Sequence, residues 1–197
     1  HKEYRRQRQM CIRDSVNFKQ VYPLAIREPE FFKGKNLFTY FLIRRIDYVR
    51  QAKKNNMVFA KPNPDPINQN LVTGKISDHQ PYIFKLAHYC QAIQKDKQLD
   101  FAVVVSNKIW SGLKNWNTDE SIADATSKVG LKFEDIEKIR IENEQAIIDE
   151  IKLNQKKQLE AGHHGVPLSV YKDKFFFGQD RFDDLVSELK KDGLVIS

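Results

Sequence analysis

Two short runs near the C-terminus carry residue types suited to holding a peptide: Gly165-Val166-Pro167 and Gly178-Gln179-Asp180-Arg181. An X-Pro bond is the one peptide bond with a readily accessible cis form, and a cis-proline in a folded domain marks a tight turn. Such a turn can leave the N–H and C=O of the residue before it, here Val166, facing outward. An extended peptide then bonds to them as an added strand would. The plainer reading of Val166-Pro167 is a trans proline opening a strand, an allowed position. In the second run, Asp180 precedes Phe182, Leu185, Val186 and Leu189. These fall at i, i+3, i+4 and i+7 and predict one apolar helical face. Aspartate is a good N-cap, and the free N–H groups at a helix start suit a carboxylate. An aspartate beside them suits an ammonium group, and an α-amino acid head group needs both partners. Asp180 serves equally well as a cap and nothing more.

The elements around these runs follow from local pattern. A helical run stops at Gly162, and Gly165-Val166-Pro167 opens a β-hairpin that turns at Lys172-Asp173-Lys174. The second strand ends in Phe175-Phe176-Phe177 and feeds the capped helix. Upstream, Val16 to Ile26 alternates and predicts a strand, with Pro23 near its end. Leu37 to Lys54 predicts a long amphipathic helix. Lys61 to Pro66 is extended, because each proline biases its predecessor away from helix. Helices are expected from Pro81 to Gln94, with Pro81 near the first turn, and from Asp100 to Trp110, despite the strand-like Val103-Val104-Val105. Further helices are expected over Asp119 to Val129, ended by Gly130, over Phe133 to Ile139, and over Ile141 to Ala161.

Other chemistry-bearing residues have plain readings. Phe84, Phe101, Trp110 and Trp116 could line an aromatic site, but aromatics at helical spacing more often form core. His163 and His164 are adjacent, so their side chains point apart, and no Cys or spaced His completes a metal site. No metal is expected. Cys90 lies in a helical pattern, where a lone thiol behaves as a small apolar residue. No Cys-x-x-Cys is present, and no disulfide framework is expected.

Taken together, Gly165-Val166-Pro167 and Gly178-Gln179-Asp180-Arg181 are the motifs of a known family. From Val16 onward the chain resembles the 2-hydroxychromene-2-carboxylate isomerase family, which belongs with the kappa-class glutathione transferases among the DsbA-like thioredoxin proteins. Supporting matches are Val21-Tyr22-Pro23-Leu24, Tyr40 to Asp47, Arg50-Gln51-Ala52, Phe59-Ala60-Lys61-Pro62 and Gly130-Leu131. The resemblance implies an α/β, thioredoxin-like fold with a large inserted helical domain. The thioredoxin-like part would comprise residues 16–26 and 161–197, and the insertion 27–160. It implies glutathione as cofactor. Val166 and Pro167 would pair with the cysteinyl part through backbone groups. Gln179 and Asp180 would hold the γ-glutamyl group. Lys35-Asn36 departs from the family's Gly-Asn element and is not assigned.

The N-terminus departs further. The family begins with a strand and a Ser-Pro-type turn into a helix, and its serine stabilises the glutathione thiolate. No such segment is present, so the first strand and helix are expected to be missing, and the catalytic residue is unknown. Residues 5–15, from Arg5-Arg6-Gln7-Arg8 through Met10-Cys11, read as an in-frame translation of a transposase-type sequencing adapter. Residues 1–15 are therefore set aside from fold reasoning as a non-native segment; the competing reading is a basic arm for nucleic acid. The 33 basic and 26 acidic side chains give +7, and residues 1–15 hold five and two of them, leaving 28 and 24, or +4. Scattered over amphipathic helices, that charge is poor support for a nucleic-acid partner. No apolar run is long enough to span a membrane.

The function the resemblance implies is glutathione-dependent cis–trans isomerisation of 2-hydroxychromene-2-carboxylate type, acting on an aromatic acid. A kappa-class glutathione transferase and a DsbA-like thiol–disulfide oxidoreductase are the alternatives. The parent protein is expected to be a cytoplasmic homodimer without nucleic-acid or membrane partners. Little or no activity is expected of the chain as written.

Overall fold

The computed structural model describes residues 16–28, 30–70 and 72–193. The reading of residues 1–15 as adapter-encoded lies outside the described residues. Eight α-helices and one hairpin follow in order among them: α1 Leu24–Arg27, α2 Leu37–Lys54, α3 Ile83–Ala92, α4 Lys95–Trp110, α5 Asp119–Lys128, α6 Phe133–Glu142, α7 Glu144–Glu160, β1 Leu168–Tyr171, β2 Lys174–Phe177 and α8 Phe182–Lys191. A 3-10 turn, Gln179–Arg181, joins β2 to α8. None of these helices is long and apolar enough to cross a membrane.

Two of the helices open where a side chain satisfies a free backbone group. The Asn36 side chain accepts from the Thr39 N–H to open α2, and Thr118 accepts from Ser121 to open α5. Gly130, at φ +76°, closes α5 in the left-handed conformation that only glycine adopts without a steric penalty. The Leu131 N–H then bonds back to the Thr126 carbonyl at 3.0 Å. In α4 the Val103-Val104-Val105 run is helical. Gln98, Phe101, Val105 and Ile109 share its buried face, and packing at that spacing overrides β-propensity.

The main core lies between α3, α4, α5 and α6. Tyr89, Ile93, Phe101, Trp116, Ile122 and Ile136 fill it. Phe101 and Trp116 are each only 1% exposed, so they are core, and the Trp116 Nε1–H donates to the Pro64 carbonyl. A second cluster joins Tyr22, Ala87, Ile147 and Ile151, with Phe84 against it. Cys90 is buried beside the main core. Burial pushes its thiol up to about 12.

Four expectations require correction. The helix expected from Asp100 begins at Lys95, where Gln98 of its first turn is buried and its Nε2 donates to the Ile93 carbonyl at 2.9 Å. Residues 16–23 form no strand, and the segment ends in α1. A strand needs a partner backbone, and here side chains of α7 take that place. Asn154 Nδ2 donates to the Gln20 carbonyl at 3.1 Å, and the Tyr22 N–H donates to Gln155 Oε1 at 3.1 Å. The long helix expected from Ile141 starts instead at Glu144. Asn143, at φ −118° and ψ 23°, breaks the run, and α6 extends to Glu142. Asp180 caps no helix. The 3-10 turn delays α8 until Phe182, so Arg181 occupies the cap position, with no side-chain capping bond.

Candidate functional site

The hairpin pairs antiparallel, Leu168 with Phe177 and Val170 with Phe175 on one face, Ser169 with Phe176 and Tyr171 with Lys174 on the other. Phe176 is buried. The turn between the strands places Lys172 at φ +56°, and its ammonium pairs with Asp192 beyond the end of α8 at 2.8 Å. The Tyr171 hydroxyl donates to the same carboxylate at 2.7 Å. The hairpin is thus fastened to α8 at its tip.

At the other end of the hairpin stands the turn singled out by sequence. The Val166–Pro167 peptide bond is cis. The Pro167 carbonyl accepts from the Gly178 N–H at 2.9 Å, which brings the Val-Pro turn against the start of the Gly178-Gln179-Asp180-Arg181 run. The two motifs, eleven residues apart in sequence, are therefore neighbours in space. Val166 is 51% exposed. Among the described residues, neither its N–H nor its C=O takes part in a hydrogen bond. Pro167, Gln179 and Asp180 are also exposed. Asp180 has no hydrogen-bond or ion-pair partner among the described residues, while Arg181 pairs with Asp184. Gln179 Nε2 reaches Asp47 Oδ2 of α2 at 3.4 Å.

Several residues that build this site carry no motif. Arg27 Nη2 donates to the His164 carbonyl at 2.8 Å, and Arg27 Nη1 to Gln158 Oε1 at 3.1 Å. Gln158 Nε2 in turn donates to the Gly165 carbonyl at 2.6 Å. The Gly165 N–H donates to His163 Nδ1 at 2.8 Å. His163 stacks on Phe177, with centroids 3.8 Å apart, and His164 Nδ1 lies 2.8 Å from Glu28 Oε1. Each histidine has its own partner, but the two side chains do not point apart as expected: the tight turn at residues 163–166 brings their rings edge to face, with centroids 5.4 Å apart. Leu159, Gly162, His163 and His164 line a shallow cleft of about 350 Å³ beside the turn.

One signal in the sequence points to part of this arrangement. Ile147, Ile151, Asn154 and Gln158 lie on one stripe of α7, and all four are buried. Polar residues on an apolar stripe need partners. Asn154 and Gln158 find them in residue 20 and in the loop before Val166. Trp110 is 40% exposed and stacks on Phe59 with centroids 5.6 Å apart and planes 12° apart.

The arrangement defines a class. A cis-proline turn sits at the start of a hairpin that leads into a C-terminal helix, with a helical block before it. Residues 75–190 match the DSBA-like thioredoxin domain, and the chain belongs to that family. It has an α/β thioredoxin-like fold, mostly helical with a small antiparallel sheet. Among solved structures it is similar to a 2-hydroxychromene-2-carboxylate isomerase, with a TM-score of 0.60 and 16% identity over 79% of this chain and 68% of the other. That similarity is one of fold. No curated protein matches the sequence.

Proposed function

We propose that this chain binds glutathione across Val166-Pro167 and Gln179-Asp180, in the service of a glutathione-dependent cis–trans isomerisation of 2-hydroxychromene-2-carboxylate type on an aromatic acid. The observation that carries the reading is the backbone of Val166, without a hydrogen bond among the described residues, in a turn joined through Pro167 and Gly178 to the run that holds the exposed Asp180, unpaired among the same residues. A γ-glutamyl peptide has a backbone amide and carbonyl to pair with Val166, as a strand pairs with an edge. Its α-ammonium suits the Asp180 carboxylate, and its α-carboxylate suits the N–H groups of Gln179 and Asp180, since that of Gly178 is taken by the Pro167 carbonyl. The Gln179 amide nitrogen lies 3.4 Å from Asp47 Oδ2.

When bound, glutathione would supply a thiolate nucleophile able to add to a conjugated double bond, allow rotation about the single bond so formed, and leave again as thiolate with the double bond restored. The residues of this chain hold the peptide that carries the thiol. No residue here is assigned to lowering the thiol pKa. Cys90 takes no part, because its thiol is buried and its pKa is pushed up to about 12.

The test is isothermal titration with glutathione and with S-methylglutathione, which lacks the free thiol but keeps every group the proposed subsite would hold. Both are expected to bind. Asp180→Asn should weaken both about fivefold, since an exposed carboxylate–ammonium pair contributes about 1 kcal/mol. Absence of binding at millimolar ligand, or equal affinities for Asp180→Asn and the wild type, would overturn the assignment.

A further inference from the structure

The residues beneath the Val166-Pro167 turn form a clamp from three parts of the chain. Arg27 comes from α1, Gln158 from α7 and His163 from the loop itself. Arg27 donates three times: through Nε to the Tyr22 carbonyl at 2.8 Å, through Nη1 to Gln158, and through Nη2 to the His164 carbonyl. Gln158 relays this to the Gly165 carbonyl through a short, buried bond. The Pro167 carbonyl is held by Gly178 on the other side. The carbonyls of residues 164, 165 and 167 thus all have partners, while both backbone groups of Val166 have none among the described residues.

That pattern has a physical consequence. A peptide that pairs with Val166 gains affinity only if the N–H and C=O are already held in ladder orientation, since ordering a loose loop on binding subtracts from the gain. The guanidinium and the amide have rigid donor geometry, which makes them suited to fixing two adjacent carbonyls. We propose that Arg27 and Gln158 are positioning residues that fix the Val166 turn and through it set the affinity for glutathione; the second half rests on the glutathione reading above. Neither residue belongs to the motifs at Val166-Pro167 or Gln179-Asp180, and neither would touch the ligand.

The test uses the full chain with Arg27→Met, Arg27→Lys and Gln158→Glu. Arg27→Met keeps much of the side-chain length and removes all three donors. Gln158→Glu keeps an acceptor for Arg27 but replaces the donor to Gly165 with a carboxylate oxygen. Each is expected to weaken glutathione about tenfold, the scale of a lost charge-assisted or buried hydrogen bond. Arg27→Lys, which retains a cation and can still reach one carbonyl, is expected to recover part of that loss. Urea unfolding run alongside separates affinity from stability. Wild-type affinity in both Arg27→Met and Gln158→Glu overturns the proposal. If the wild type itself binds no glutathione, the glutathione reading fails, and with it the affinity half. The clamp is then judged by hydrogen exchange at the Gly165 amide. Faster exchange in Arg27→Met supports the clamp, and unchanged exchange overturns it.

Discussion

Replacing Tyr22 with phenylalanine removes a single oxygen from a buried contact that ties residues 16–27 to the helical block. The Tyr22 hydroxyl lies 2.8 Å from His88 Nε2, and the two residues are 9% and 6% exposed. Burial, with Glu144 adding to it, pushes the Tyr22 hydroxyl up to about 12, so it keeps its proton and donates. Burial also holds the His88 pKa below its ordinary value; Glu144 opposes this and Arg140 reinforces it. His88 is therefore neutral at pH 7, with Nε2 as acceptor and Nδ1 facing Glu144 Oε1 at 3.9 Å. Tyr22→Phe leaves Nε2 buried without a donor, which costs about 2 kcal/mol. For a urea slope of about 2 kcal/mol per molar, the unfolding midpoint should fall by roughly 1 M. The Tyr22 carbonyl and its bond from Arg27 are untouched by this change.

The same pair predicts a pH dependence. The folded pKa of His88 lies below the unfolded one. Above the unfolded value, about 6.5, both states are neutral and the stability is fully present. As pH falls below it, the unfolded chain takes up a proton that the folded chain refuses. Stability therefore declines until the folded pKa is reached. Urea titrations between pH 8 and 5 should show this decline in the wild type, and His88→Gln should flatten it. A wild-type midpoint for Tyr22→Phe at pH 8, or an identical pH slope in His88→Gln, would refute the reasoning.

Two further outcomes are expected. Gly165→Ala should lower stability by about 1–3 kcal/mol and weaken glutathione binding, because a Cβ there runs into the Phe177 ring and comes within 2.8 Å of His163 Cε1. Urea midpoints and titration calorimetry on the variant check both effects. In a Cys11→Ser background, Cys90 should resist a thiol-specific disulfide reagent at pH 8 and react once urea unfolds the chain, since the thiolate is the reactive form and burial pushes its pKa up to about 12.

Helix positions were legible wherever the apolar period was clean and a cap stood in place. Leu37–Lys54 was read to its ends, with Asn36 capping it, and Asp119–Lys128 differed by one residue. The hairpin, too, was legible, because Pro167, the Lys172-Asp173 turn and the triple phenylalanine are local signals. Val16 to Ile26 reads as a strand on local pattern and forms none for a non-local reason. Its alternation is real, but Tyr22 packs with Ala87, Ile147 and Ile151, which lie on helices and not on a sheet. Asp180 caps no helix because a 3-10 turn, frequent at helix starts, occupies Gln179–Arg181 and delays the helix to Phe182. Only the path of the backbone through Gln179–Arg181 separates that turn from a first helical turn.

The candidate site divides in the same way. Sequence alone placed Val166, Pro167, Gln179 and Asp180 in two motifs, since turn-forming and helix-start residues act through bonds to near neighbours. Nothing local links Arg27 to His164, 137 residues apart, or Gln158 to Arg27 across 131. Those contacts exist because Tyr22, Ala87, Ile147 and Ile151 bury together and carry α1 onto α7. Hydrophobic burial has no sequence direction. Tertiary packing, not any motif, therefore decided which polar groups hold the Val166 turn and which of its backbone groups stay open.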